Sequence, residues 1–251
     1  MPQARYAFRG TARSSTRCPA LRTSRRNSPT MPDGCGRALG CLPLVALLLL
    51  AGQAAAEGYL RVANPGNPAS LDPHKITGVW ENRIVGDMFV GLTTESADGR
   101  VVPGAAEAWQ VSADGRTWDF TLRPHRWSDG TAVTADDFVY SFRRMLDPQT
   151  ACLYADFFFV IEGAREFTRG EAPASAVGVE ALSERRLRIR LRRPVAYFPG
   201  LLMHFAAMPV PRQAIEQHGD DWTQAGNIVV NGAFTLERRV PNDRVVLARN
   251  P

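Results

Sequence analysis

Cysteine is scarce, and what there is stands poorly placed for chemistry. Of four, Cys18, Cys35 and Cys41 fall in the first 56 residues, leaving Cys152 alone in the rest. One thiol cannot build a disulfide framework within residues 57–251. It reads as a small buried hydrophobe, or as the partner of a cysteine elsewhere. Metal-ligating patterns are equally thin. His74, His125, His204 and His218 are scattered, without the short spacings zinc sites use. No H-E-x-x-H, G-x-S-x-G or G-x-x-x-x-G-K-[ST] occurs. Gly34, Gly36 and Gly40 imitate a glycine-rich loop but follow no strand. Asp136-Asp137 are adjacent carboxylates, yet at the start of a helix they more simply complement its macrodipole. No catalytic constellation assembles, so neither an enzyme, a cofactor nor a metal is expected.

An excess of charge of one sign is missing too, once the chain is divided. The net charge is +5, but residues 1–56 hold eight of the thirty basic residues and one acid, Asp33. The remainder carries 22 basic and 24 acidic residues. A body so near neutrality has no broad electrostatic footprint for nucleic acid. Long apolar runs are limited to Leu42–Ala51, short of the ~20 residues a bilayer-spanning helix needs. With Arg37 ahead of it and Ala54-Ala55-Ala56 behind, that run reads as a signal peptide over 31–56, cleaved after Ala56. A lipoprotein would want its Cys just after the run, whereas Cys41 precedes it. Residues 1–30 are Arg-, Ser- and Pro-rich. They are expected to be upstream sequence ahead of a start at Met31, with a disordered basic tail or transit peptide as the rival reading.

What is present is a mixture of short strands and helices. Tyr59–Ala63 reads as a strand, and Ile84, Val85, Met88, Phe89 and Leu92 give helical spacing over 80–92. A hairpin turns at Asp114-Gly115, with Trp118, Phe120 and Leu122 on one face. Ser128-Asp129-Gly130 is a turn, and Thr134 with Asp137 forms a capping box for a helix that ends at Asp147-Pro148. A second helix is expected over 155–169. A further hairpin joins 177–182 to 187–192, with Arg186, Arg188, Arg190 and Arg192 alternating against Leu187, Ile189 and Leu191. That arginine ladder could bind phosphates, although its period of two is already explained by a solvated strand face. A short helix between Pro211 and Gly219 and a last hairpin about Pro241-Asn242-Asp243 complete an α/β or α+β body.

Trp127-Ser128-Asp129-Gly130-Thr131 is also distinctive as wording, and it is one of an ordered series. Ser70-Leu71-Asp72-Pro73-His74-Lys75, Pro103-Gly104-Ala105-Ala106-Glu107-Ala108-Trp109 and Asp147-Pro148-Gln149-Thr150-Ala151 belong with it. So do Pro194-Val195-Ala196-Tyr197-Phe198, Trp222–Val229 and Asn231-Gly232-Ala233-Phe234. Together they resemble the family 5 extracellular solute-binding proteins of ABC importers, the oligopeptide branch in particular, across residues 57–251. The resemblance implies an α/β, two-lobed periplasmic-binding-protein-like (type II) fold, here incomplete. Residues 57–89 would start lobe one, 90–213 would be the extra domain, and 214–251 would return to lobe one, making the chain an N-terminal fragment. The implied partners are an oligopeptide and the permease subunits of an inner-membrane ABC transporter, in the periplasm, with a monomer at full length. Dipeptides, murein peptides or nickel complexes are alternative ligands on the same scaffold, and an exported enzyme is the remote alternative.

The resemblance places the ligand-gripping backbone at Thr77-Gly78-Val79, where Gly78 permits close approach and where relatives often carry an acid in place of Thr77. Tyr154, between the Asp147-Pro148 stop and the next expected helix, is expected to line the ligand site with its apolar ring and polar tip. Packing against Phe157 or Phe158 is the alternative.

Overall fold

The computed structural model describes residues 3–7, as backbone, and residues 59–251, which belong to one compact unit. The expected signal peptide over 31–56, its cleavage site and Cys18, Cys35 and Cys41 lie outside the described residues.

The chain enters with β1 (Gln3–Ala7) and β2 (Tyr59–Ala63), which run parallel in register from Gln3↔Tyr59 to Ala7↔Ala63. No strand signal marks residues 3–7 in the sequence. Their pairing uses main-chain groups alone, which any sequence can supply. Helix α1 (Val79–Met88) follows, with Ile84, Val85 and Met88 buried at helical spacing. It stops four residues short of Leu92. Met88 C=O accepts from Gly232 N–H at 2.7 Å, while Val90 exchanges two hydrogen bonds of 3.0 Å with the Asn231 side-chain amide. Those partners come from far along the chain, so helical periodicity alone could not place the end.

A small hairpin, β3 (Thr93–Glu95) with β4 (Val101–Pro103), leads to β5 (Ala106–Val111) and β6 (Thr117–Leu122). Trp118, Phe120 and Leu122 all point inward, as their alternation requires. Helix α2 (Ala135–Leu146) is opened by the expected capping box: Thr134 N–H donates to Asp137 Oδ2 at 2.8 Å. Its buried stripe of Phe138, Phe142 and Met145 lies on β7 (Val179–Ser183) and β8 (Arg186–Arg190). The antiparallel order β5-β6-β8-β7 puts Ile189 opposite Trp118 and Leu187 opposite Phe120.

The single helix expected over 155–169 is a 3₁₀ turn at Ala155–Phe158 followed by α3 (Ala164–Thr168). Gly163 breaks it. Its φ is +69°, and a Cβ there would meet the Ala176 carbonyl oxygen. Ile161 meanwhile leaves helical pairing to bridge Leu191. Helices α4 (Phe198–Leu201) and α5 (Arg212–His218) precede the closing hairpin, β9 (Phe234–Val240) and β10 (Arg244–Arg249). Pro211 and Gly219 flank α5 as expected. The first sheet runs β2-β1-β10-β9, with β1 antiparallel to β10.

Three of the four arginines in the ladder that runs along and just past β8 are paired with acids. Arg188 grips Asp119 through two bonds of 2.8 Å, Arg190 meets Glu180 and Glu162, and Arg192 meets Glu166. A paired, solvated strand face accounts for the pattern, leaving little call for phosphate.

Candidate ligand-binding wall

Residues 77–79 are held from beneath by one buried carboxylate. Glu81 is 2% exposed and accepts three main-chain N–H groups: Ala69 at 2.8 Å, Thr77 at 2.9 Å and Gly78 at 2.9 Å. Gly78 C=O in turn accepts from Glu81 and Asn82 N–H and opens α1. Thr77 C=O accepts from the Tyr154 hydroxyl at 3.0 Å. The polar main chain of Thr77 and Gly78 is thus committed inside the protein. Val79 is 72% exposed, and its N–H belongs to the first turn of α1, where main-chain donors have no intrahelical partner. Gly78 does need to be glycine, but for a different neighbour. With φ at −110° its backbone is ordinary, and a Cβ would sit 2.6 Å from the Trp80 ring. The indole covers Gly78 on the side where a Cβ would stand.

Tyr154 and Thr77, 77 positions apart in sequence, are therefore brought together. The Tyr154 ring is half-buried and sits 4.8 Å from His204, 5.2 Å from Phe205 and 5.5 Å from Phe157. Its apolar body packs, as the alternative reading held, while its hydroxyl reaches the 77–79 segment. Leu153 and Phe157 on either side are exposed, as is Val79 across the Tyr154–Thr77 bond, giving this wall an apolar outer face. Burial lowers the His204 pKa. A separate cleft of about 610 Å³, lined by Tyr140, Arg143, Asp147 and Arg212 among others, contains none of the expected site residues.

Beneath the wall lies an ionic cluster that sequence reasoning missed. Asp72 and Arg144 pair bidentately at 2.7 and 3.1 Å. Arg144 Nη1 also donates to His74 Nδ1 at 2.9 Å, and the Trp222 indole N–H approaches Asp72 at 3.4 Å. Burial works against the Asp72 charge, but hydrogen bonds from Arg144 and the nearby positive charges outweigh it and hold its pKa below the ordinary value. His74 is fully buried. Burial pushes its pKa down to about 4 against the opposing pull of the Asp72 charge, with a smaller push from the Arg144 charge. The available signal was Asp72 and His74 close together in an apolar loop, with Arg144 beside the buried stripe of α2. Only the fold shows that they meet.

Burial raises the Cys152 pKa, so this half-buried thiol is not activated as a nucleophile. Among the described residues no group of three His, Cys, Asp or Glu could hold a metal, and no helix is long and apolar enough to cross a membrane.

Residues 100–251 match the profile of bacterial extracellular solute-binding proteins, family 5 (middle). The chain belongs to that family. It is 47% identical over 205 residues to the periplasmic oligopeptide-binding protein OppA of Escherichia coli K12, covering 80% of this chain and 38% of the relative. Against the periplasmic murein peptide-binding protein MppA of the same organism the identity is 41% over 186 residues, covering 73% and 34%. Haemophilus influenzae OppA, solved in complex with RPPGFSPFR, superposes with a TM-score of 0.72 at 36% identity over 74% of this chain and 37% of that one. The fold is that of the type II peptide-binding proteins. The chain spans under two fifths of the length of these relatives. All are named as binding proteins.

Proposed function

We propose that this chain forms the first wall of a periplasmic solute-binding protein that captures oligopeptides for an ABC importer. The observation that carries the reading is the Tyr154–Thr77 hydrogen bond, which joins two separately expected site segments into one outward face. A peptide added as a strand would find the Val79 N–H as its main-chain donor and the Leu153–Phe157 surface for its side chains. A carrier of many sequences needs such contacts, because the peptide backbone is what its ligands share. The strands bear on the expected division of the chain: the first sheet draws on 3–7, 59–63 and 234–249, and the four-stranded second sheet lies wholly within 106–190. Export with cleavage after Ala56, and docking of the loaded protein on inner-membrane permease subunits, belong to the same proposal.

The rival is the same scaffold carrying a narrower solute, and the 41% identity to a murein peptide-binding protein favours keeping it in view. Mass spectrometry of whatever co-purifies with the secreted gene product separates the two. A heterogeneous set of short peptides supports the oligopeptide reading; one muropeptide or one non-peptide species refutes it.

A further inference from the structure

The Asp72–His74–Arg144 cluster lies three residues ahead of Thr77, and its bonding pattern permits only one protonation state. A guanidinium can donate but never accept. The 2.9 Å contact from Arg144 Nη1 therefore requires a bare lone pair on His74 Nδ1, which makes the imidazole neutral with its proton on Nε2. Nε2 is buried and faces the Met208 carbonyl without a closed hydrogen bond. The ring is fully enclosed, so a second proton would have no water to meet and would place two cations in contact.

The Asp72 charge favours that second proton, but burial of the ring outweighs it. The two Asp72 oxygens are already shared among both Arg144 nitrogens, the His74 backbone N–H at 2.9 Å and the Trp222 indole. The other charged and titratable groups nearby are few. Lys75 on the same loop is tied to exposed Asp220 at 3.1 Å, and Tyr140 on α2 and Cys152 after it lie within the fields of Asp72 and Arg144. Burial raises the pKa of both Tyr140 and Cys152, so neither changes charge as the pH falls from neutral. His74 is the member of the cluster whose charge can change in that range.

We propose that His74 is an acid-operated latch on the ligand wall: protonation breaks its tie to Arg144 and frees the loop that presents Thr77–Val79. Three elements meet at the latch, namely the 70–76 loop, α2 through Arg144 and the return segment through Trp222. Freed on one side, the loop still carries Thr77 into its bond with Tyr154, so loosening would pass directly to the wall. The significance of the latch for ligand release rests on the proposed role of Thr77–Val79, but its operation can be observed without any ligand.

The test is an NMR titration of the full chain, labelled with ¹⁵N and at the His Cε1 positions, from pH 7.5 to 4. The Thr77, Gly78 and Val79 amides should shift or broaden with the midpoint of the His74 ring, about two units below that of an exposed histidine. Core amides at Phe120 and Leu187 should stay protected through that point. His74→Gln should abolish the response at 77–79, whereas His204→Asn, altering the other histidine near the wall, should leave it intact. Simultaneous loss of the wall and core amides would overturn the proposal, because that is plain acid unfolding. So would a His74 titration that leaves 77–79 unmoved, or a response that follows His204. Should His74→Gln fail to fold, the two midpoints in the unaltered chain decide alone. None of these outcomes bears on whether the ligand is a peptide, so the two readings fail separately.

Discussion

Tyr154 does two jobs with separable costs, because its ring packs against His204, Phe205 and Phe157 while its hydroxyl bonds Thr77. Tyr154→Phe keeps the ring and is expected to cost about 1 kcal/mol or less, a shift of about 2–4 °C in a chain of this size. Tyr154→Ala also removes ring packing and should cost roughly 2–4 kcal/mol, given that the ring is only half-buried. If the hydroxyl serves the wall, Tyr154→Phe should weaken a whole peptide pool together in calorimetry; an unchanged pool would leave it a packing residue. His74 makes a second residue-scale prediction. Between pH 6.5 and about 4 the unfolded chain takes up a proton there that the folded chain excludes. Its neutral burial therefore costs nothing above pH 6.5, and stability drains away as pH falls through that window, by about 3 kcal/mol in all. Urea midpoints at pH 7 and pH 4.5 should show the drop, and a flat profile would contradict it. Removing Arg144 should be harsher at neutral pH, because Asp72 would stay charged, buried and unpaired: Arg144→Met is expected to cost about 3–5 kcal/mol.

Elements here begin where local chemistry says and often end where distant residues decide. The α2 start is local, so Asp137→Ala should cost about 1 kcal/mol through the lost capping box. The break before α3 is not. Gly163→Ala would add the cost of positive φ to a collision with the Ala176 carbonyl, and is expected to destabilise by more than about 2 kcal/mol. An ordinary exposed position just beyond α3, Glu171, should tolerate alanine within about 0.5 kcal/mol. Comparable thermal melts for the two variants would mean that the turn is looser than its geometry. On β8 the paired arginines are substantially exposed, so their salt bridges carry little stability in the presence of solvent and salt.

At the scale of the molecule the first sheet is the vulnerable part. β2 and β10 are joined through β1 and not to each other, so their inner main-chain groups depend on residues 3–7. A chain beginning at Glu57, as processing after Ala56 would produce, leaves two strand edges open in the described unit. Hydrogen exchange should then quicken at Leu60–Val62 and Val245–Leu247 while β6 and β8 remain protected, and self-association should rise. Protection unchanged at β2 would mean that another segment takes the place of β1. The wall is also open on its outer side, and the chain spans 38% of the length of its Escherichia coli relative. Halving the contacts of a micromolar complex, about −8 kcal/mol, leaves millimolar affinity. Calorimetry of residues 57–251 with tri- to pentapeptides is expected to show no saturation at micromolar concentrations, and tight stoichiometric binding would refute the one-wall picture.

Family, strand alternation and caps were legible in the residues themselves, because each depends on neighbours within a few positions. Trp118, Phe120 and Leu122 face inward by a period of two, Thr134 and Asp137 stand three apart, and the ordered landmarks from Ser70 to Phe234 carry the family resemblance. Thr77 and Tyr154 were each named from sequence, but nothing in it said that they touch. That contact, the end of α1 at Asn231 and Gly232, the indole filling the space above Gly78, and the meeting of Asp72, His74 and Arg144 were decided by tertiary structure. The physical reason is common to all four. A buried polar group must find a partner, a small residue must be covered by something, and which partner or cover arrives depends on segments that only folding brings within a few ångströms.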